Sequence, residues 1–262
     1  MITSTKNDQV KAVIELKKKA RARNGQGLFV VEGVRMAAEL PKNQVKSVYV
    51  SETFAKDPAN AAFLAEYPGY ELVSDQVFAA MSDTQTPQGV LALVRQFSYG
   101  MDELLKSDRP AHLMVLENLQ DPGNLGTILR AGEGAGVTGV VMDANTADIY
   151  NPKVIRSTMG SVLRMPFVYA EDLHETLETL KQKKVRLFAA HLKGKNAYDL
   201  EDYTGDTAFL IGNEANGLTD ETAAMADTYV RIPMEGRVES LNAAVAASVL
   251  MFEAARQRRN QK

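Results

Sequence analysis

Three loops collect the side chains of this chain that could do chemistry. They are Glu117-Asn118-Leu119-Gln120-Asp121-Pro122-Gly123-Asn124, Gly212-Asn213-Glu214-Ala215-Asn216-Gly217 and Pro233-Met234-Glu235-Gly236-Arg237. Carboxylates, carboxamides and glycine-exposed backbone groups form a set suited to holding a polar ligand. Other chemistries are poorly supplied. The chain has no cysteine, which removes disulfides, thiolate nucleophiles and Cys-ligated zinc. Its three histidines, His112, His174 and His191, are scattered and lack the i, i+4 spacing of a helical metal pair. No Ser-His-Asp set follows from spacing, and no metal site is expected.

Each loop must be positioned by the elements around it. Apolar runs end abruptly at the loops: Leu113-Met114-Val115-Leu116, Phe209-Leu210-Ile211 and Tyr229-Val230-Arg231-Ile232. A helix-like segment follows each loop. Short buried strands alternating with helices predict a parallel sheet, hence an α/β fold. Ligands of such sheets sit outside the carboxyl ends of the strands, where these loops lie.

The chain has 262 residues, 45% hydrophobic and 24% charged, enough for one large or two ordinary domains of a soluble protein. No run reaches the roughly 18 apolar residues of a membrane span. The N-terminus lacks an apolar h-region, so no secretory signal is expected. A cytoplasmic location fits both features and the absence of cysteine. Net charge is −3, but Lys6, Lys11, Lys17, Lys18, Lys19, Arg21 and Arg23 crowd residues 1–24 against only Asp8 and Glu15. Such a basic stripe is a footprint of phosphate contacts. A solvated helix face is the competing explanation.

Along the chain, Val10, Val13, Ile14 and Leu16 predict an amphipathic helix over residues 6–22, ended by Gly25 and Gly27. Strands at 28–31, 45–50, 70–73 and 90–94 with intervening helices make a small α/β domain, residues 1–98. Residues 99–110 read as a linker, and residues 111–262 as the second domain. There Asp121-Pro122 suits a helix start, and Leu125, Ile128 and Leu129 share a face opposite Thr127 and Arg130. Gly134-Ala135-Gly136-Val137-Thr138-Gly139 matches G-x-G-x-x-G, but it closes a helix where the dinucleotide fingerprint opens one. A dinucleotide-dependent oxidoreductase is therefore disfavoured. The final helix, near 241–257, carries Ala243, Ala244, Ala246, Ala247 and Ser248, a small face for core packing or for a subunit interface.

Three stretches carry a resemblance. Asn124-Leu125-Gly126-Thr127-Ile128-Leu129-Arg130, Ile211-Gly212-Asn213-Glu214-Ala215-Asn216-Gly217-Leu218 and Ile232-Pro233-Met234-Glu235-Gly236-Arg237-Val238-Glu239-Ser240-Leu241-Asn242 resemble the three ordered motifs of the SpoU (TrmH-like) RNA 2′-O-ribose methyltransferases. Phe29-Val30-Val31-Glu32-Gly33 and Thr86-Pro87-Gln88-Gly89 resemble that family's RNA-binding domain, a fold related to ribosomal proteins. The resemblance implies a SPOUT α/β domain with a C-terminal trefoil knot, a homodimer, and S-adenosylmethionine held by the three loops. Carried over by motif, Gly212, Ile232 and Leu241 line the cofactor pocket, with Asn213, Gly217 and Met234 beside them in the same loops. Asn124, Arg130, Glu214, Ser240 and Asn242 take the polar catalytic positions. Lys17, Lys18, Lys19, Arg21 and Arg156 are the candidate RNA contacts.

The implied reaction is methyl transfer to a ribose 2′-hydroxyl, with ribosomal RNA the expected substrate and a 23S guanosine one candidate. A tRNA methyltransferase and a non-catalytic RNA-binding member of the fold are the alternatives. Arg130 suits a phosphate grip better than a general base, because a guanidinium stays protonated in proteins. Glu214 or water is left to accept the hydroxyl proton. Each polar position also has a plainer reading. Asn124 and Ser240 suit helix caps, Glu214 a solvated loop and Asn242 a first helical turn.

Overall fold

A computed structural model describes residues 1–106 and 108–260. Ser107 of the expected linker, and Gln261 and Lys262 at the end of the expected second domain, lie outside the described residues. The chain forms two units, Met1–Phe97 with Tyr150–Leu163, and Ser98–Ile149 with Arg164–Lys262.

In the first unit the N-terminal segment makes two helices where the apolar spacing predicts one. α1 (Asp8–Lys18) and α2 (Ala20–Gln26) are separated by Lys19, whose backbone is extended at φ −123° and ψ 117°. Arg23 turns inward and donates to the carbonyls of Leu16 (2.6 Å) and Lys17 (3.2 Å), satisfying the open end of α1. Val10, Val13 and Leu16 are fully buried, as the spacing predicts. The unit continues through β1 (Leu28–Glu32), α3 (Val34–Ala38), β2 (Val45–Ser51), α4 (Glu52–Lys56), α5 (Ala61–Glu66), β3 (Glu71–Val73), α6 (Asp75–Met81) and β4 (Val90–Arg95). Its sheet has the order β1-β4-β2-β3, with β4 antiparallel to both neighbours and β2–β3 parallel.

The second unit begins before the expected boundary. Within the described part of residues 99–110 lies α7 (Met101–Leu105), whose Leu104 is fully buried. Gly139 makes room for it, since a Cβ there would lie 2.3 Å from Leu104 Cγ. The polar composition of this stretch therefore conceals a packed helix, not an open tether. There follow β5 (His112–Leu116), α8 (Pro122–Ala135) and β6 (Gly139–Met142). α9 (Pro152–Thr158) then belongs to the first unit, where the Tyr150 ring stands 4.6 Å from Phe29.

The second unit is completed by β7 (Phe167–Tyr169), α10 (Leu173–Gln182), β8 (Arg186–Ala190), β9 (Asn196–Ala197), β10 (Thr207–Ile211), α11 (Asp220–Ala224), β11 (Thr228–Arg231) and α12 (Ala243–Arg259). All its strand pairs are parallel, in the order β7-β6-β5-β10-β8-β11-β9. β5 and β10 are buried throughout, which is why they read as unbroken apolar runs. The carboxyl ends of β5, β10, β8 and β11 thus lie together at one end of the sheet.

Candidate active site

Each loop leaves its strand along a path fixed by local chemistry. After β5, Asp121 caps α8, its Oδ1 accepting from Asn124 N at 2.8 Å, with Pro122 in the first turn. Asn124 is therefore not the cap. Leu125, Ile128 and Leu129 are fully buried while Thr127 and Arg130 are exposed, and Gly136 closes the helix at φ 76°. After β10, Asn213 and Gly217 exchange backbone hydrogen bonds of 3.0 and 2.9 Å and close a small loop. Gly212 has no room for a side chain, because a Cβ would lie 2.0 Å from the carbonyl carbon of Gly217. After β11, the third loop ends at Asn242, which caps α12 by accepting from Ala244 N (2.9 Å) and Val245 N (3.3 Å). The cap is thus Asn242, not Ser240.

A hydrogen-bonded chain joins the three loops. Glu214 accepts from Gln120 N (3.1 Å), Asp121 N (2.9 Å) and Asn124 Nδ2 (3.0 Å). The other end of the Asn124 carboxamide accepts from Asn242 Nδ2 at 3.0 Å. Partial burial pushes the Glu214 carboxyl up. The bonds from Asn124, Asp121 and Gln120 outweigh that and hold it below the ordinary carboxylate range. Arg130, six residues on from Asn124, is exposed and has no hydrogen-bond or ion-pair partner among the described residues.

Beside this chain lies a cavity of about 780 Å³. Gly212, Asn213, Gly217, Ile232, Met234 and Leu241 all line it, together with Glu214 and Ser240. Asn124, Arg130 and Asn242 do not.

Residues 111–252 match the SpoU rRNA Methylase family, and residues 7–92 match an MRM3-like substrate binding domain. The chain belongs to the SpoU methylase family. It is 31% identical to the 23S rRNA (guanosine(2553)-2′-O)-methyltransferase RlmP of Bacillus subtilis, over 96% of this chain and 97% of that one. It is 35% identical to an uncharacterized tRNA/rRNA methyltransferase of Synechocystis, over 98% and 93% of the two chains. The AdoMet-bound rRNA methyltransferase of Sinorhizobium meliloti superposes with a TM-score of 0.85 at 29% identity, over 97% of both chains.

For a SpoU methylase the cavity has the right character. Its size lies within the roughly 300–1,000 Å³ of small-molecule sites. Ile211, Leu218, Ile232, Leu241 and Leu250 give it apolar walls, and the loops around Gly212 and Pro233 bring backbone polar groups to the rim. This donor set fits S-adenosylmethionine, which pairs a flat base with a polar amino-acid tail. The motifs did not point to the wall made by Ala190, His191, Leu192 and Lys193 after β8, or to Ala243 and Ala246 on α12. The strand-end rule could have found the first, since β8 ends in the same place as β10 and β11.

The basic residues separate into different roles. Lys17 is buried, and its Nζ lies 3.1 Å from Asp83 and 3.6 Å from Glu32 while donating to the Met81 carbonyl. It is an internal ion-pair residue of the first unit, which corrects the expectation that it faces RNA. Lys19 pairs with Glu15 at 2.9 Å on the surface, and Arg156 stands 3.7 Å from Asp83. Lys18 and Arg21 are exposed without partners among the described residues.

Proposed function

We propose that this chain transfers the methyl group of S-adenosylmethionine to a ribose 2′-hydroxyl of ribosomal RNA, with a 23S guanosine as the candidate nucleotide. The observation that carries the reading is the Glu214–Asn124–Asn242 chain, which ties the three motif loops together beside a cavity of the right size. The names of the relatives supply the substrate class: 23S rRNA and a guanosine 2′-hydroxyl for the Bacillus subtilis enzyme.

When bound, S-adenosylmethionine supplies an electrophilic methyl group on a sulfonium. The protein's part is to fix the hydroxyl, stabilise charge on its oxygen and let its proton leave. Arg130 is a guanidinium with no partner among the described residues, so it is available to grip the phosphate beside the target ribose and to offset developing negative charge. Glu214 is a poor proton acceptor, because three donors already occupy its oxygens and lower its pKa. It acts by holding the loops in register, and water takes the proton. Asn242, capping α12, holds the third loop against Asn124, and Ser240 lines the cavity wall.

The working form is a homodimer, and the chain is threaded as the trefoil knot of this family. Supporting the first, Val245 and Phe252 of α12 are 47% and 51% exposed on a helix that packs against α8, while its small residues Ala244 and Ala247 are buried in the core. Supporting the second, β11 lies between β8 and β9, two strands laid down earlier in the chain. The first unit recognises RNA, with Lys18 and Arg21 among its exposed cations that have no partner among the described residues.

The test is transfer of labelled methyl from S-adenosylmethionine to purified 23S rRNA and tRNA, followed by mapping of the 2′-O-methylated position. Label on a 23S ribose is expected. Label on tRNA alone, or on a base, refutes the substrate or the acceptor atom. Sedimentation at micromolar concentration should give a dimer that Phe252→Glu converts to a monomer.

A further inference from the structure

We propose that Glu117 is a positioning residue of the cofactor cavity, clamping the far end of the loop of residues 212–218 while its neighbour Asn118 clamps the near end. The proposal rests on the reading that this cavity takes S-adenosylmethionine. The loop lines the cavity, yet residues 214–217 are exposed, so no apolar packing fixes their path. Its shape is decided largely where it is tied down.

Besides the Glu214 bonds at its middle, the ties at its two ends come from one dipeptide at the carboxyl end of β5. The Glu117 backbone N–H donates to the carbonyl of Ile211 at 2.9 Å, extending the β5–β10 register by one bond. Glu117 is 8% exposed, and its carboxylate reaches past the loop to α11. One oxygen accepts from Thr219 N at 2.8 Å; the other accepts from the Thr219 hydroxyl at 2.8 Å and from the Thr222 hydroxyl. Thr222 is fully buried, and its oxygen lies 3.0 Å from His174 Nε2. The Thr222 hydroxyl proton points to Glu117, so the histidine ring donates to the hydroxyl. Asn118 holds a left-handed backbone at φ 53°, an uncommon conformation for a residue other than glycine. Its N–H donates to Asp143 Oδ1 (2.9 Å) and its carbonyl accepts from Asn213 Nδ2 (2.9 Å).

This arrangement is costly if it serves packing alone. A buried carboxylate must be fully hydrogen-bonded to be tolerated, and apolar residues of similar volume often stabilise a fold as well or better. The carboxylate gives a single acceptor centre for one amide and two hydroxyls, all at the point where the loop rejoins the core. A loop held in its binding shape before the ligand arrives loses less entropy on binding.

The test is calorimetric titration of the full-length protein with S-adenosylmethionine and with S-adenosylhomocysteine, beside thermal melting and hydrogen exchange at the Thr219 amide. Glu117→Ala should weaken both ligands by about tenfold and speed exchange at Thr219. Glu117→Gln should stay within about threefold of wild type, because its oxygen still accepts from Thr219 N while the two hydroxyls turn to accept from its amide. Thr222→Val, which keeps the volume and removes one arm, should fall between them. A Glu117→Ala protein that melts lower but binds as tightly as wild type overturns the proposal, leaving Glu117 a fold residue. Should Glu117→Ala not fold, unchanged affinity in Thr222→Val overturns it equally. Wild-type protein that binds neither ligand overturns the cavity reading and the clamp together, an outcome distinct from a clamp failure alone.

Discussion

Arg130→Ala separates charge stabilisation from base catalysis. Arg130 is exposed on α8 and has no partner among the described residues, so its removal breaks no internal bond. Alanine is the best helix former, and arginine is close behind it. Folding stability should therefore change by no more than about 0.5 kcal/mol, the range of an uneventful surface substitution. The rate should respond far more. Losing one preorganised donor to a developing oxyanion costs about 2.7–4 kcal/mol, or roughly 10²–10³ in kcat. Arg130→Lys keeps the charge but loses the planar fork that meets a phosphate through two bonds, so it should recover only part of the loss. The assay is single-turnover methyl transfer across pH 6 to 10, beside thermal melting. A guanidinium that never gives up its proton contributes no limb to the pH profile. A lysine variant whose rate rises as the lysine loses its proton, or an alanine variant with near-normal turnover, would refute the assigned role.

Three further outcomes follow from the geometry. Gly212→Ala should lower the melting temperature and abolish S-adenosylmethionine binding, because its Cβ meets the Gly217 backbone at 2.0 Å; Gly217→Ala, at φ +70° in open space, should cost only about 1–2 kcal/mol and retain binding by calorimetry. Lys17→Met should destabilise the first unit by about 1–3 kcal/mol in urea melts, since it removes the cation beside Glu32 and leaves that carboxylate only its bonds from Ser82, the Asp83 amide and Thr84, whereas Lys18→Gln with Arg21→Gln should leave melting unchanged and reduce the salt slope of RNA binding by about one per residue. Burial, with the charges of Arg258 and Arg109, drives the His112 pKa down from 6.5 to about 3. The unfolded chain takes up a proton there that the folded chain refuses, so stability is whole above pH 6.5 and falls as pH drops towards 3. His112→Leu should flatten that part of the profile, and an unchanged slope between pH 7 and 4 would count against it.

The strand–loop–helix order of the second unit was legible because burial on both sheet faces leaves no polar residue in β5 after His112 or in β10 after Thr207. The amphipathic face of α8 and the stop at Gly136 were legible for the same local reasons. The fate of individual basic residues was not. Lys17, Lys18 and Lys19 are identical in type and adjacent, yet one is buried against Asp83, one has no partner among the described residues and one, at the break between the helices, pairs back to Glu15 of α1. What separates them is the arrival of residue 83, which no local pattern encodes. The break at Lys19 likewise depends on Arg23 folding back onto the end of α1. The Pro152 to Thr158 segment has ordinary helix signals, but its partner in space is β1, more than a hundred residues earlier. Among the site residues, the motif loops pointed to the cavity, whereas Glu117 was only the first residue of a polar loop until Thr219 and Thr222 were brought to it.

β10 pairs with β5 on one side and β8 on the other. Until it is in place, the strands before it cannot form a continuous sheet. A ribosome adds about 5–20 residues per second, so the 95 residues separating Leu116 from Ile211 take on the order of 5–20 s to appear. Throughout that interval the apolar edge of β5 has no native neighbour on that side. The nascent chain is thus exposed to edge-to-edge association for a time set by translation rather than by its own folding rate. A stretch of slow codons placed before β10 should lower the soluble yield, and the same stretch placed after β11 should not.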